Sequence, residues 1–438
     1  MRKIFILLAF AFLAKANAQD AKQNYSFSLQ QAIEHSLQYN YSAINSGKDI
    51  EIAKKKKWET TTMGLPQLNG SVNYQNNFKL QQNLLTVDGN PVTLTMGDYN
   101  NIDAKLTLSQ LIFDGSYLVG LESAKVYLQM FENSKKKSDS EIREMVTNSY
   151  GNVLLAEESI RVLERNLTVL EKNYADANQI FKNGLGEEES VEQIGITLAS
   201  VKSSLSNVKR LREISLKMLK INLGIEINDE LKLTDDLEAL SKNNLDLAFA
   251  GTEFNVNNNI DYQMATNLTE QKRLLLKLEK SKALPSLAAQ VNFGSNAFNS
   301  KFNFLSQDQR WFNYSNIGVG LNVPIFSSLG RSAKTQQAKI AYEQSKTQLT
   351  ETEQMLKLQF EKSKSDFEFS IEEYATAKSN LNLAERIEKK QQIKFGEGLS
   401  TSFEFAEAQR QLYTAQQAYL QSMVDVINKR ASLEKIIK

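Results

Sequence analysis

Apolar positions along this chain follow two different periods. Ile160, Leu163, Leu167, Leu170, Tyr174, Ala177 and Phe181 step alternately by three and four, the spacing of a coiled-coil seam. Elsewhere the period drops to two. Leu68, Gly70, Val72 and Tyr74 alternate with Asn69, Ser71, Asn73 and Gln75, and Ile102, Ala104, Leu106 and Leu108 alternate with Asp103, Lys105, Thr107 and Ser109. Leu287, Ala289, Val291 and Phe293, then Ile317, Val319, Leu321 and Val323, repeat that pattern later in the chain. Period two marks strands with one apolar face. Each run is about nine to twelve residues, enough to cross a bilayer when tilted.

The second half of the chain restates the first at an offset of about 212 to 219 residues. Leu65-Pro66-Gln67-Leu68 returns as Leu284-Pro285-Ser286-Leu287, Ile112-Phe113 as Ile325-Phe326, and Lys182-Asn183-Gly184-Leu185-Gly186 as Lys394-Phe395-Gly396-Glu397-Gly398. The expected fold is mainly α with a small transmembrane β part, built as two tandem repeats of helix, strand, strand, long helix and helix. The first repeat occupies 19–223. Its first helix starts at the capping box Ser28-Leu29-Gln30-Gln31 and runs to about Thr62; strands follow near 65–79 and 101–113, then a coiled coil over 115–222. The second repeat occupies 257–438, with strands near 285–297 and 315–327 and a coiled coil over 329–437. In each, two shorter helices together match the long one in length, as in an antiparallel rod. The polar stretch 224–256 has no clear period and is expected to be an equatorial linker.

Composition narrows the class. Only four of 438 residues are proline, where average usage gives roughly twenty, and all four fall in two windows, about 64–113 and 283–326. Proline-free spans fit long helices. There is no cysteine and a single histidine, His35, which removes thiol chemistry and most histidine-based sites. No cofactor and no metal are expected, and an enzyme is disfavoured. Residues 1–18 read as a secretory signal: Arg2 and Lys3, an apolar run from Ile4 to Leu13, and Ala16-Asn17-Ala18 for cleavage. Removing it takes three positive charges from a net +1 and leaves −2, no signature of nucleic-acid binding.

The strands point to a membrane. Asp103 and Lys105 on a polar face suit a wet lumen, and aromatics gather at the strand ends: Phe78, Tyr99, Phe113, Phe298, Phe302, Phe304, Trp311, Phe312, Tyr314 and Phe326. A soluble sandwich capping a coiled coil is the other reading of the same alternation. Four strands cannot close a barrel in lipid, so closure demands an oligomer; two chains would give eight strands and three would give twelve.

These features together resemble the TolC-like outer-membrane efflux protein family over essentially the whole mature chain. The carriers are Ser28-Leu29-x-x-Ala32-Ile33 with Asn40, the paired Leu-Pro-x-Leu junctions, the Ile-Phe strand exits, and Gly398-x-x-Thr401-x-x-Glu404-x-x-Glu407-Ala408-Gln409. The resemblance implies a homotrimer in the outer membrane: a twelve-stranded barrel continued by a twelve-helix coiled-coil tube through the periplasm. It also implies a periplasmic adaptor and an inner-membrane pump that open the far end for passive efflux or type I secretion. The family's acidic gate maps to Glu404 and Glu407, and to Glu192 when the first repeat is counted from Gly186; Gly184, Gly186, Gly396 and Gly398 map to the adaptor-contact tips.

Plainer roles stand beside these. Glu404 completes a capping box with Thr401, whereas Glu407 shows no other role in the sequence. Glu187-Glu188-Glu189 suits the positive end of a helix. Lys54 to Lys57 before Trp58 reads as a solvated face that would also suit anionic headgroups. His35, among polar neighbours, is expected to be inert. A periplasmic coiled-coil adaptor or scaffold is the competing function.

Overall fold

The computed structural model describes residues 24–437, so the expected secretory segment lies outside the described residues. In chain order the elements are β1 (Asn24–Phe27), α1 (Leu29–Tyr39), α2 (Tyr41–Thr62), β2 (Gln67–Asn76), β3 (Gln81–Val87), β4 (Asn90–Met96), β5 (Asn100–Asp114), α3 (Gly115–Lys182) and α4 (Glu188–Leu223). There follow β6 (Glu230–Leu233), α5 (Leu237–Asn243), α6 (Leu247–Ala250), a 3-10 turn (Val256–Asn258), α7 (Ile260–Ser281), β7 (Ser286–Asn299), β8 (Phe312–Asn322), α8 (Gly330–Gly396) and α9 (Ser402–Ile437). The chain forms two compact units. One takes residues up to Lys48, Asn133–Gln263 and Glu351 onward; the other takes Asp49–Glu132 and Met264–Thr350. Compactness thus does not follow the halves of the chain, since each unit draws on both.

In the first, helical unit, Ser28 caps α1 as expected: its hydroxyl accepts from Gln31 N, and the Gln31 side chain accepts from Ser28 N at 3.0 Å. The helix does not continue unbroken to Thr62. Asn40 turns out with ψ 138°, and α2 starts afresh. Asn40 is buried; its Oδ1 accepts from Ser42 N at 2.7 Å and its Nδ2 donates to Asn222 O at 2.7 Å. A side chain that bonds locally to backbone competes with the helix ladder, which is why the break falls at an asparagine.

The stretch 224–256, which shows no clear period in the sequence, holds β6, α5 and α6. β6 pairs in parallel with β1, from Asn24↔Glu230 to Phe27↔Leu233. Four-residue strands offer too few alternations to stand out in a sequence. Tyr150 OH donates to Phe27 O at 3.0 Å, and Leu29 N donates to Asp235 Oδ2 at 2.6 Å, stitching the first residues to the helices. His35 does not sit among polar groups: its ring lies 4.9 Å from Phe27 and stacks on Tyr39 at 4.5 Å, and burial pulls its pKa below the ordinary value. Gly224 closes α4 with φ +73°, and a Cβ there would run into the Tyr39 carbonyl.

The main core gathers Val146, Tyr150, Val153, Leu219, Leu223, Phe367, Val424, Ile427 and Leu433. Each such side chain contributes about 1.5–3 kcal/mol by leaving water. A second cluster holds the seam read from the sequence: Leu163, Leu170 and Ala177, seven apart, are buried with Ile194, Val201 and Leu205 of α4, while Ile160, Leu167 and Tyr174 pack at its edge. Phe181, at the helix end, is exposed. Heptad spacing also orders the flank: Glu164 pairs with Lys209 at 2.7 Å and Glu171 with Lys202 at 2.9 Å, rungs set by two antiparallel helices.

The second unit centres on a four-stranded antiparallel sheet in the order β2-β5-β7-β8, leaving β2 and β8 as edges. β3 and β4, between the two strands expected in this stretch, form a separate hairpin. Its turn is Asp88-Gly89, φ 51° and 83°, the pairing that a type I′ turn prefers. Pro91 lies in β4 opposite Thr86; a two-stranded ribbon has only edges, where proline is tolerated.

Candidate functional site

Register gives the sheet two chemically distinct faces. Leu68, Leu108, Val291 and Ile317 stand opposite one another across all four strands. Side chains of strand neighbours alternate in direction, so the next row, Asn69, Thr107, Asn292 and Asn316, lies on the other face. The apolar row ends at both edges in open solvent, with Leu68 67 % and Ile317 76 % exposed. The polar row is hydrogen-bonded within itself: Thr107 Oγ1 donates to Asn292 Oδ1 at 2.7 Å, and Asn292 Nδ2 donates to Asn316 Oδ1 at 2.9 Å. On the same face Tyr314 OH donates to Asp103 Oδ2 at 2.8 Å. The sheet thus carries a bare apolar face and a polar face whose side chains are largely bonded to one another.

The aromatics at the strand ends divide in their roles. Phe78 and Phe302 are exposed, but Phe304 is buried, edge-on to Tyr74 at 6.1 Å and to Phe302 at 5.5 Å, so it holds the β7–β8 loop together. Lys56 pairs with Glu59 at 2.9 Å on the exposed end of α2. No described helix is long and apolar enough to cross a membrane.

The two helical tips turn on one glycine each. Gly184 and Gly398 have φ +74° and +73°; Gly186 and Gly396 are not in the left-handed region. Leu185 N donates to Ile180 O at 3.1 Å and Leu399 N to Lys394 O at 2.8 Å, the closing bond of a helix that ends on a left-handed residue. Equivalent positions are therefore Gly184 and Gly398, and counting from them places Ser190 opposite Glu404 and Gln193 opposite Glu407. The match of Glu192 to Glu404, counted from Gly186, does not hold. Glu192 falls level with Ala406 and is exposed on α4.

At the second tip the capping box forms. Thr401 N donates to Glu404 Oε2 at 3.0 Å, Glu404 N donates to Thr401 Oγ1 at 3.2 Å, and Ser400 Oγ donates to the same carboxylate at 2.8 Å. The Thr401 backbone and Ser400 hydroxyl hold the Glu404 carboxyl below the usual range. Glu407, for which the sequence showed no second role, has one: Arg410 grips it through Nε at 2.9 Å and Nη2 at 2.7 Å, and Gln411 Nε2 donates at 3.0 Å. Arg410 holds its carboxyl low. In the first tip Glu187 caps α4 without a side-chain bond, and Glu188 and Glu189 fill the first turn.

Gln409, named in the sequence only as the end of the tip motif, stands out in the structure. Its neighbour Phe405 stacks on Phe395 at 5.1 Å, and Gln409 itself is 1 % exposed with neither side-chain nitrogen nor oxygen hydrogen-bonded. Only its place in the tip motif could have drawn attention to it.

Comparison with known proteins agrees with these features. The outer membrane efflux protein family model matches residues 256–437. Three solved structures share the fold over nearly the full length of both chains. They are CusC (16 % identity, 96 % of this chain and 95 % of that one, TM-score 0.72), VceC of Vibrio cholerae (15 %, 93 % and 95 %, 0.72) and the CmeC outer membrane channel of Campylobacter jejuni (17 %, 96 % and 90 %, 0.73). No curated protein matches the sequence significantly. The resemblance to TolC-like outer-membrane efflux proteins, read from the motifs, holds in the family model for the second repeat and in the fold for nearly the whole chain. That family is one of efflux ducts and not of enzymes, in keeping with the composition.

Proposed function

We propose that this chain, with its outer membrane efflux protein match and TolC-like fold, is the outer-membrane duct of an export system that passes solutes through a polar lumen without chemistry of its own. The four-stranded sheet carries this reading. Its apolar face is bare, its polar face is internally hydrogen-bonded, and its edges β2 and β8 lack partners within the described chain. Unpaired edges in hydrocarbon cost several kcal/mol per group, so three copies closing a twelve-stranded barrel satisfy what one copy leaves open. A soluble scaffold would leave the Leu68–Ile317 face without a purpose.

An adaptor and an inner-membrane pump would act from the periplasm on the tips around Gly184, Gly186, Gly396 and Gly398. Glu404 and Glu407 are the proposed gate acids, with Glu192 an additional acid on the other tip. Arg410 pairs with Glu407 within the same helix, so this carboxylate carries its counter-charge on α9 itself.

Purification from outer membranes in detergent is expected to give a trimer that forms ion-conducting channels in planar bilayers. A water-soluble monomer would sink the proposal. Glu404→Ala with Glu407→Ala is expected to raise single-channel conductance; unchanged conductance removes these residues from the gate.

A further inference from the structure

We infer that residues 323–329 form a preorganised apolar knob that seats against the α2–β2 junction of the next copy of this chain, locking the periplasmic end of the seam between subunits. The inference rests on the trimeric reading above and identifies the contact that reading leaves open.

The two repeats leave their last strands differently. In the first, Ile112 and Phe113 remain within β5, Phe113 pairs with Leu287, and α3 follows directly at Gly115. In the second, β8 stops at Asn322 and α8 begins at Gly330, so the matching Ile325 and Phe326 fall in the intervening turn. That turn is costly in two ways. Ile325, Phe326 and Leu329 are 87 %, 81 % and 75 % exposed. Ser328 and Leu329 stand consecutively at φ 48° and 64°, a region that side chains other than glycine rarely adopt.

Yet the turn is tied down. Arg331 donates through Nη1 to Pro324 O at 2.8 Å, through Nη2 to Ile325 O at 3.2 Å and through Nε to Ser327 Oγ at 3.1 Å, and Gly330 N donates to Ser327 O at 2.8 Å. A strained segment held by four hydrogen bonds presents fixed side chains; a loop whose only task was connection would relax.

Strand direction says what it meets. β5 lies between two strands, whereas β8 is an edge, and so is β2. Adjacent strands alternate in direction, so β8 and β2 run oppositely. If β8 of one copy joins β2 of the next, the pair is antiparallel, and the end of β8 lies beside the start of the neighbour's β2. The residues leading into β2 include three exposed apolar side chains, Trp58, Met63 and Leu65. The repeats therefore diverge at the one strand exit that borders another subunit, and both partners there are apolar.

The absence of cysteine permits a clean test. Tagged Met63→Cys and untagged Phe326→Cys chains are co-expressed and treated with a short bismaleimide in intact membranes. The expected product is a crosslink between tagged and untagged chains, absent when either thiol is missing. Phe326→Asp is expected to lower the temperature at which the trimer separates in SDS while leaving helix content unchanged. A stable trimer without the crosslink, or strong quenching of a Phe326→Cys fluorophore by lipid-borne quenchers, overturns the knob and leaves the duct reading standing. A monomer in mild detergent overturns both.

Discussion

Asn40 and Asn259 perform the same task in the two repeats: each caps the helix that follows it and each reaches back to the last turn of its repeat's final helix. Asn40 Nδ2 donates to Asn222 O at 2.7 Å, and Asn259 Nδ2 donates to Ile436 O at 2.9 Å. Asn40 Oδ1 accepts from Ser42 N, and Asn259 Oδ1 from Asp261 N. Both side chains are buried. Replacing Asn259 with alanine removes a cap and strands the Ile436 carbonyl, whereas replacing Asn40 removes a cap and one of two bonds to Asn222 O, which Ser36 Oγ also meets at 2.8 Å; each variant is expected to lose about 1–2 kcal/mol. Thermal unfolding followed by circular dichroism should show both Asn40→Ala and Asn259→Ala melting below the parent; a silent Asn259→Ala would break the equivalence.

The tip glycines are expected to respond unequally to alanine. Gly184→Ala and Gly398→Ala force a side chain into the left-handed region and should cost about 1 kcal/mol each. Gly396→Ala, at ordinary φ with open space around it, is expected to be neutral or stabilising. Hydrogen exchange of the tip amides distinguishes the two classes, and equal effects at Gly396 and Gly398 would contradict the assigned turn.

Acid should loosen the second tip. The Glu404 carboxyl lies below its usual range because Thr401 N–H and Ser400 Oγ–H donate to the charged form. Its hold on the turn is complete above the ordinary carboxylate pKa of about 4.3 and is lost as the pH falls through the lower folded value. The protection of amides 399–405, measured against their intrinsic exchange rates at each pH, is expected to fall in that acid window. Glu404→Gln, which retains a capping-box acceptor, should flatten the dependence; an unaltered pH profile would assign it to other groups.

Gln409 predicts the opposite sign. A buried carboxamide without partners carries its desolvation cost uncompensated, so Gln409→Met is expected to raise stability by about 1–2 kcal/mol. If the variant both melts higher and conducts less in bilayers, the orphaned amide favours an opened tip in which it finds a partner. A lower melting temperature would show that the side chain is satisfied in solution.

What the chain determines by itself is whatever period and local chemistry encode. The three-four seam fixed the helices around Leu163 and Leu170, the two-residue alternation fixed the faces of β2, β5, β7 and β8, and Ser28 with Gln31 fixed a helix start to the residue. These depend on neighbours within a few positions. The tertiary structure decided what depends on distant ones. β1 and β6 are each too short to show a period and exist through each other across some two hundred residues. Which glycine of each Gly-x-Gly turns left-handed was settled by the hydrogen bonds of the helix ends, and with it the displacement of Glu192 from the Glu404 position. Arg410 lies three residues from Glu407, so that pair was legible to a reader checking helical neighbours. The turn after Asn322 was legible in part, because Pro324 stands where Leu111 precedes Ile112 and proline cannot donate to a strand ladder; that the turn borders an open edge depends on the strand order.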